Sequence, residues 1–203
     1  MDLAQLFNKY GSDKDVNGYA QLYHTLFDKM QKDKLVILEI GIGTMIPGVH
    51  SSMVGYGLND YKPGGSLRAW RDYFTESRII GADVQPDTQF SDEPRIETYL
   101  CNSTSKTEVQ EFMAKLGNIK FDIIIDDGSH IDDNQYLTLG NFYPFLKDGG
   151  IYIIEDIYPS SKVSKHPQAL GSLCNNDPYF FVGVSNNLCV IYKKNLKSVR
   201  RGF

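Results

Sequence analysis

FDIIIDDGSH, residues Phe121–His130, runs three isoleucines into two carboxylates, and GGIYIIEDI, residues Gly149–Ile157, ends in the same manner at Glu155 and Asp156. Neither apolar run has helical spacing. Short β-branched runs bounded by glycine and polar residues mark strands buried on both faces, the pattern of a parallel sheet. Ligands of open parallel sheets bind just beyond the carboxyl ends of the strands. Two such strands side by side would gather Asp126, Asp127, Glu155, Asp156 and the imidazole of His130 around one cleft. Clustered carboxylates repel unless a proton or cation compensates them, so the pattern argues for a bound metal.

The bulk of the chain fits that picture. Its 203 residues suit one domain, 1–203, with 41% hydrophobic and 23% charged residues, ordinary for a globular protein. No run approaches the ~20 apolar residues of a membrane helix, and MDLAQLFNKYGSDK lacks the basic-then-apolar order of a secretory signal. A net charge of −4 leaves no basic footprint for nucleic acid. Cys101, Cys174 and Cys189 are odd in number and lack CxxC spacing, so neither a zinc site nor a disulfide framework is expected. A reducing, cytoplasmic setting is the plain reading, without membrane or nucleic-acid partners. The basic ending, Lys193-Lys194 to Arg200-Arg201, reads as a solvated tail.

Taken in order, Met1–Met30 shows helical spacing at Leu3, Leu6 and Phe7, then at Tyr19, Leu22, Tyr23, Leu26 and Phe27. Gly11-Ser12-Asp13-Lys14 interrupts it, with Ser12 or Asp13 expected to cap the second helix. Residues 1–33 are either a scaffold pair packed on the sheet or a lid over a cofactor. LVILEIGIG, Leu35–Gly43, is a strand followed by Glu39, Gly41 and Gly43, glycines that let backbone approach a ligand. Ile79–Asp83 is a second strand ending in Asp83, the position that grips a ribose diol. The third glycine of a dinucleotide fingerprint is missing near Met45 and Ile46, which disfavours a nicotinamide enzyme. Residues 44–64 are an aperiodic Gly/Pro/Tyr-rich insertion, read as an active-site loop, with plain disorder the alternative. Its His50 and Tyr56 are weak candidates for substrate contact; His24 and His166 have weaker cases still. Gly64-Gly65-Ser66 opens a helix whose amide-rich start, at Ser66, suits an anionic group of a cofactor.

Arg95–Leu100 is a third strand leading to Asn102, Lys106–Leu116 a helix, and Asp133–Leu146 a helix closed by Lys147–Gly150. Tyr179–Val184 and Leu188–Tyr192 flank Ser185–Asn187 as an antiparallel hairpin. The alternation of strands and helices is α/β: a Rossmann-like, doubly wound, mostly parallel seven-stranded sheet with a C-terminal antiparallel hairpin.

LEIGIG, GGSLRAWRDYF, IIGADV, FDIIIDDGSH and FLKDGGIYIIEDI, in this order, resemble class I S-adenosylmethionine-dependent methyltransferases. More narrowly they resemble the metal-dependent sugar O-methyltransferases that modify macrolide deoxysugars, whose core the cephalosporin hydroxylase-like family shares. The resemblance runs from GSDK to the last strand. DDGSH with a downstream IED is more specific than the ExGxG turn. It implies that Glu39, Gly41 and Gly43 form the cofactor turn, with Asp83 on the ribose; Ser66 and Asp126 are further candidates for cofactor binding. Asn102 stands near the adenine, where the family more often has an acid. The resemblance further implies that Asp127, Glu155 and Asp156 hold Mg²⁺ or Mn²⁺, and that His130 is the general base. The chain is shorter than the macrolide enzymes and is expected to lack their extra N-terminal domain. A homo-oligomer or fusion to glycosyltransferase domains would fit.

The chemistry agrees with those roles. Methyl transfer from a sulfonium is an in-line displacement whose donor carries the driving force, so the protein aligns the partners and activates the acceptor. A sugar hydroxyl resists deprotonation near neutral pH; an oxygen-bound cation stabilises the developing alkoxide, and an imidazole takes the proton. His130 follows Asp127 by three residues, so both can face one pocket. Asp126 and Asp127 also suit a helix cap, and His130 also suits an ordinary polar loop. Competing functions are a catechol-type O-methyltransferase on an aromatic diol and a non-catalytic cofactor-binding module. A base beside a metal disfavours the module.

Overall fold

The computed structural model describes residues 1–49, 52–56, 61–158, 170–174, 181–185 and 187–193. His50, His166, Asn186, Lys194, Arg200, Arg201 and the Tyr56 side chain lie outside the described residues. The chain forms two compact units, Met1–Leu100 and Cys101–Phe203.

The first unit opens with α1 (Leu3–Tyr10), where Asp2 and Gln5 cap each other's backbone amides at 2.8 and 3.1 Å. Gly11, at φ 71°, ends the helix in the left-handed region. Neither Ser12 nor Asp13 caps α2 (Ala20–Phe27): its first flanking residue is Tyr19, with no side-chain cap. The reason is local, since Ser12 Oγ accepts the Lys14 amide at 3.5 Å and Asp13 Oδ2 the Asn17 side chain at 3.2 Å. Three parallel strands follow: β1 (Val36–Ile40), β2 (Arg78–Asp83) and β3 (Ile96–Leu100), with β2 between the other two. α3 (Gly65–Tyr73) sits between β1 and β2 in sequence. The apolar spacing of α1, α2 and α3 converges on Trp70: Phe7 and Tyr23 meet its ring at 4.9 and 5.0 Å, edge to face. Phe27 and Phe74 complete this fully buried cluster, through which α1 and α2 pack against α3.

The 44–64 insertion is fastened at both ends. Met53 N–H donates to Thr44 O at 2.9 Å and opens a short 3-10 turn, Met53–Tyr56. Gly64 N–H and the Tyr61 hydroxyl both donate to Ile42 O, at 2.9 and 3.1 Å.

The second unit holds α4 (Lys106–Lys115), β4 (Phe121–Asp126), α5 (Asp132–Phe142), β5 (Leu146–Ile154), a short helix α6 (Leu170–Leu173), β6 (Phe181–Ser185) and β7 (Leu188–Tyr192). β4 and β5 are parallel, and β7 lies antiparallel between β5 and β6. The expected hairpin is present. Both isoleucine runs are fully buried, as their lack of alternation required. Lys147–Gly150 does not close α5; a 3-10 turn, Tyr143–Phe145, does, and 147–150 lie inside β5. There the register jumps from Phe121–Leu146 to Ile123–Ile151, a bulge that Gly149 permits at φ 84°. The whole is a mixed α/β architecture, mostly parallel with a C-terminal antiparallel hairpin.

α1 and α3 approach so closely that a Cβ on Gly65 would lie 2.5 Å from Tyr10 O and 2.9 Å from the Tyr61 ring. Gly65→Ala is therefore expected to destabilise by ~1–3 kcal/mol, the usual range for overpacking. Gly55→Ala, with open space around it, should stay within ~0.5 kcal/mol. Urea midpoints of the two variants test the contrast.

Candidate active site

In the first unit the strand-to-turn geometry is set by glycine. Gly41 and Gly43 take φ 84° and 78°, which side chains rarely adopt. A Cβ on Gly43 would also lie 2.8 Å from the Tyr61 hydroxyl. Asp83, at the end of β2, reaches this turn: its Oδ2 accepts Ile42 N–H at 2.8 Å and its Oδ1 accepts Gln85 N–H at 2.9 Å. Burial raises its pKa above the ordinary carboxylate value, against the pull of those amides. Asp87, which the sequence reading passed over, accepts Thr44 Oγ1 and Met45 N–H, each at 2.7 Å, and so pins the start of the insertion.

Glu39 and Ser66 do not face outward. Glu39 is fully buried, its Oε1 3.2 Å from Lys14 Nζ, and Lys14 itself is only 1% exposed. Its Oε2 accepts the Ser66 hydroxyl at 2.7 Å and the Trp70 indole N–H at 3.2 Å. Both were expected at the cofactor. In the structure both are buried and joined in one network with Lys14 and Trp70, since a carboxylate buried beside a lysine needs fixed partners. The GSDK turn thus contributes a buried cation, which its polar composition concealed.

In the second unit Asp127, His130 and Asp156 each direct a ligand atom into one space, all within 4.8 Å of one another. His130 Nε2 is 3.8 Å from Asp127 Oδ1, and Nδ1 is 3.6 Å from Asp156 Oδ2. A carboxylate oxygen of Glu155 also lies within 4.8 Å of one of Asp127. All three expected metal ligands are therefore grouped about Asp127. His130 Nδ1 is buried and makes no hydrogen bond among the described residues. His130 and Asp156 both hold left-handed backbone, at φ 56° and 54°. Such strain in non-glycine residues persists only where the surroundings enforce it, and it concentrates at functional sites. The capping alternative fails: the residue flanking α5 is Ile131, with no side-chain cap.

Asp126, expected at the cofactor, is 3% exposed. Burial above all, and then the Asp127 charge, push its carboxyl up to about 8. It lies beside the Tyr152 hydroxyl, whose own pKa burial and Asp126 raise well above the usual phenol value. Among the described residues neither Asp126 Oδ2 nor the Tyr152 hydroxyl makes a well-formed hydrogen bond. Asp126 is an interior group because it is the last residue of a doubly buried strand. Asn102 Oδ1 is committed to Thr104, accepting its amide at 3.1 Å and its hydroxyl at 2.8 Å. His24 pairs with the Tyr73 hydroxyl at 3.2 Å.

The fold is that of S-adenosylmethionine-dependent methyltransferases. The MycE methyltransferase from the mycinamycin biosynthetic pathway, solved in complex with Mg, SAH and mycinamycin VI, superposes with a TM-score of 0.77 at 22% identity, covering 97% of this chain and 56% of that one. By sequence the chain is a homologue of sugar O-methyltransferases. It is 33% identical over 159 residues to the 8-demethyl-8-(2-methoxy-alpha-L-rhamnosyl)-tetracenomycin-C 3'-O-methyltransferase of Streptomyces olivaceus, covering 77% of this chain and 37% of that protein. It is 31% identical over 159 residues to the demethylmacrocin O-methyltransferase of Streptomyces fradiae, covering 77% and 36%. The chain thus spans less than two fifths of the length of these relatives. No family profile matches it.

Removing the Lys14 amine alone would strand the Glu39 charge. Lys14→Met is expected to destabilise by ~3–5 kcal/mol, while Lys14→Met with Glu39→Gln recovers most of that loss. Denaturant unfolding of the single and double variants measures both; equal loss in the two would remove the pair from the account.

Proposed function

We propose that the chain is a metal-dependent O-methyltransferase that moves a methyl group from S-adenosylmethionine to a sugar hydroxyl, of a deoxysugar or a glycan. The observation that carries this reading is the Asp127–His130–Asp156 cluster held on strained backbone. The relatives, named for methylation of rhamnosyl tetracenomycin and of demethylmacrocin, supply the acceptor class. Residues 1–203 are read as one methyltransferase domain, with 1–33 an N-terminal helical lid and 44–64 an active-site insertion. A cytoplasmic setting suits the three free thiols.

The donor set fits a hard cation, since Asp127, Glu155 and Asp156 offer only oxygen and the cysteines lie elsewhere. When bound, Mg²⁺ or Mn²⁺ supplies positive charge for the developing alkoxide and a template for neighbouring hydroxyls. Gly41 and Gly43 let backbone close on the methyl donor, and Asp83 receives its ribose hydroxyls. Asn102 lies near the adenine. Glu39 and Ser66 act from behind, through the turn. His130 takes the acceptor proton at Nε2, with Asp127 and Asp156 beside the positive charge that results. As that proton leaves, the carbon–oxygen bond forms and the carbon–sulfur bond breaks.

Calorimetry should show binding of S-adenosylhomocysteine and little of NAD. Methyl transfer to deoxysugar conjugates should vanish in EDTA and return with Mg²⁺. His130→Ala should lower kcat by ~10²–10⁴, the usual contribution of a positioned base, with S-adenosylhomocysteine affinity near wild type. Full activity in chelator would remove the metal from the mechanism, and an unchanged kcat would remove His130 as the base.

A further inference from the structure

We infer that Gln135 is a positioning residue, whose side chain fixes the Glu155-Asp156 turn against the start of α5, the helix that follows His130, in the arrangement that binds the cation. The inference rests on the reading of Asp127, His130 and Asp156 given above and extends it to a residue outside the cluster. Gln135 lies in the first turn of α5 and is 4% exposed. Its backbone N–H donates to Ile131 O at 2.9 Å, and its Nε2 donates to Glu155 O at 3.0 Å. Ile131 directly follows His130, and Glu155 directly precedes Asp156. The backbone bond is the opening bond of the helix; the side-chain bond ties that helix start, just past His130, to the carbonyl next to Asp156.

The rest of the second unit treats these turns as points to be fixed. Glu155 N–H donates to Asp126 O at 2.9 Å, so its peptide is held on the amide side by β4 and on the carbonyl side by Gln135. Ile157 N–H donates to Asn187 O at 2.8 Å, which anchors the far end of the same turn. Asn134 Nδ2 donates to Ser129 Oγ at 2.8 Å, a second tie from α5 to the residue before His130. Among these described ties, the Gln135 side chain is the one that runs from α5 to the Glu155-Asp156 turn. Groups that orient ligands are commonly worth ~10–100-fold in metal affinity. Strained backbone relaxes once a constraint is removed, so the loss should appear at the metal.

The test is Gln135→Met in the full chain, which keeps the length and apolar stem and deletes the donor. Mn²⁺ binding, read by calorimetry and electron paramagnetic resonance, should weaken ~10–100-fold. The half-saturating Mg²⁺ for methyl transfer should rise in step. S-adenosylhomocysteine affinity should be unchanged, a split that general loosening of the fold would not produce. A second measurement needs no variant: in the ¹⁵N-labelled wild type, the Gln135 side-chain amide should be protected from exchange and should shift when Mg²⁺ is added. A folded Gln135→Met protein that binds Mn²⁺ like wild type, or a Gln135 amide indifferent to Mg²⁺, overturns the inference alone. A wild-type protein that binds no Mn²⁺ overturns the metal reading and this inference with it.

Discussion

The buried pair of Lys14 and Glu39 is the constraint around which the first unit is built. A lysine and a glutamate with almost no exposure survive only if geometry and further donors compensate their lost hydration. Ser66 and Trp70 supply those donors from α3, and Lys14 arrives from the turn between α1 and α2. Three helical segments and the end of β1 are thereby fixed by one carboxylate. The aromatic cluster around Trp70 excludes water from the same place, which strengthens every interaction within it. The glycine turn follows immediately, so its shape is inherited from this interior network.

In the second unit the comparable constraint is backbone strain rather than buried charge. Two parallel strands end side by side, and each chain must turn sharply to present its acids. His130 and Asp156 accept left-handed conformations to do so, at ~1–3 kcal/mol each by the usual reckoning for such positions. The ladder between β4 and β5 and the hydrogen bonds made by α5 offset that strain.

Much of this was legible in the sequence. The uninterrupted runs Ile123–Ile125 and Ile151–Ile154 announced doubly buried parallel strands, and the acids at their ends announced the cluster with His130. Composition and spacing report what a segment packs against, but not where a polar group turns once there. Asp126 and Asp127 are neighbours of one type, yet the first is the buried last residue of β4 and the second, just past the strand, lies beside His130. Glu39 and Ser66 stand beside a glycine turn and still face inward. Lys14 looked like a loop residue because nothing local marks a long cation that reaches the core. Gln135 carried no signal at all: its role depends on a main-chain carbonyl twenty residues away.

The clasp on the 44–64 insertion has a consequence for diversification. Thr44 meets Met53, and Ile42 O receives both Tyr61 and Gly64, so the segment leaves and rejoins the frame across a few ångströms. Closing a loop between fixed ends grows dearer only logarithmically with its length. Residues can be exchanged, added or deleted between those staples while β1 and α3 keep their places. A scaffold made this way can trade one such segment for another by cassette, with the rest of the unit left as it is.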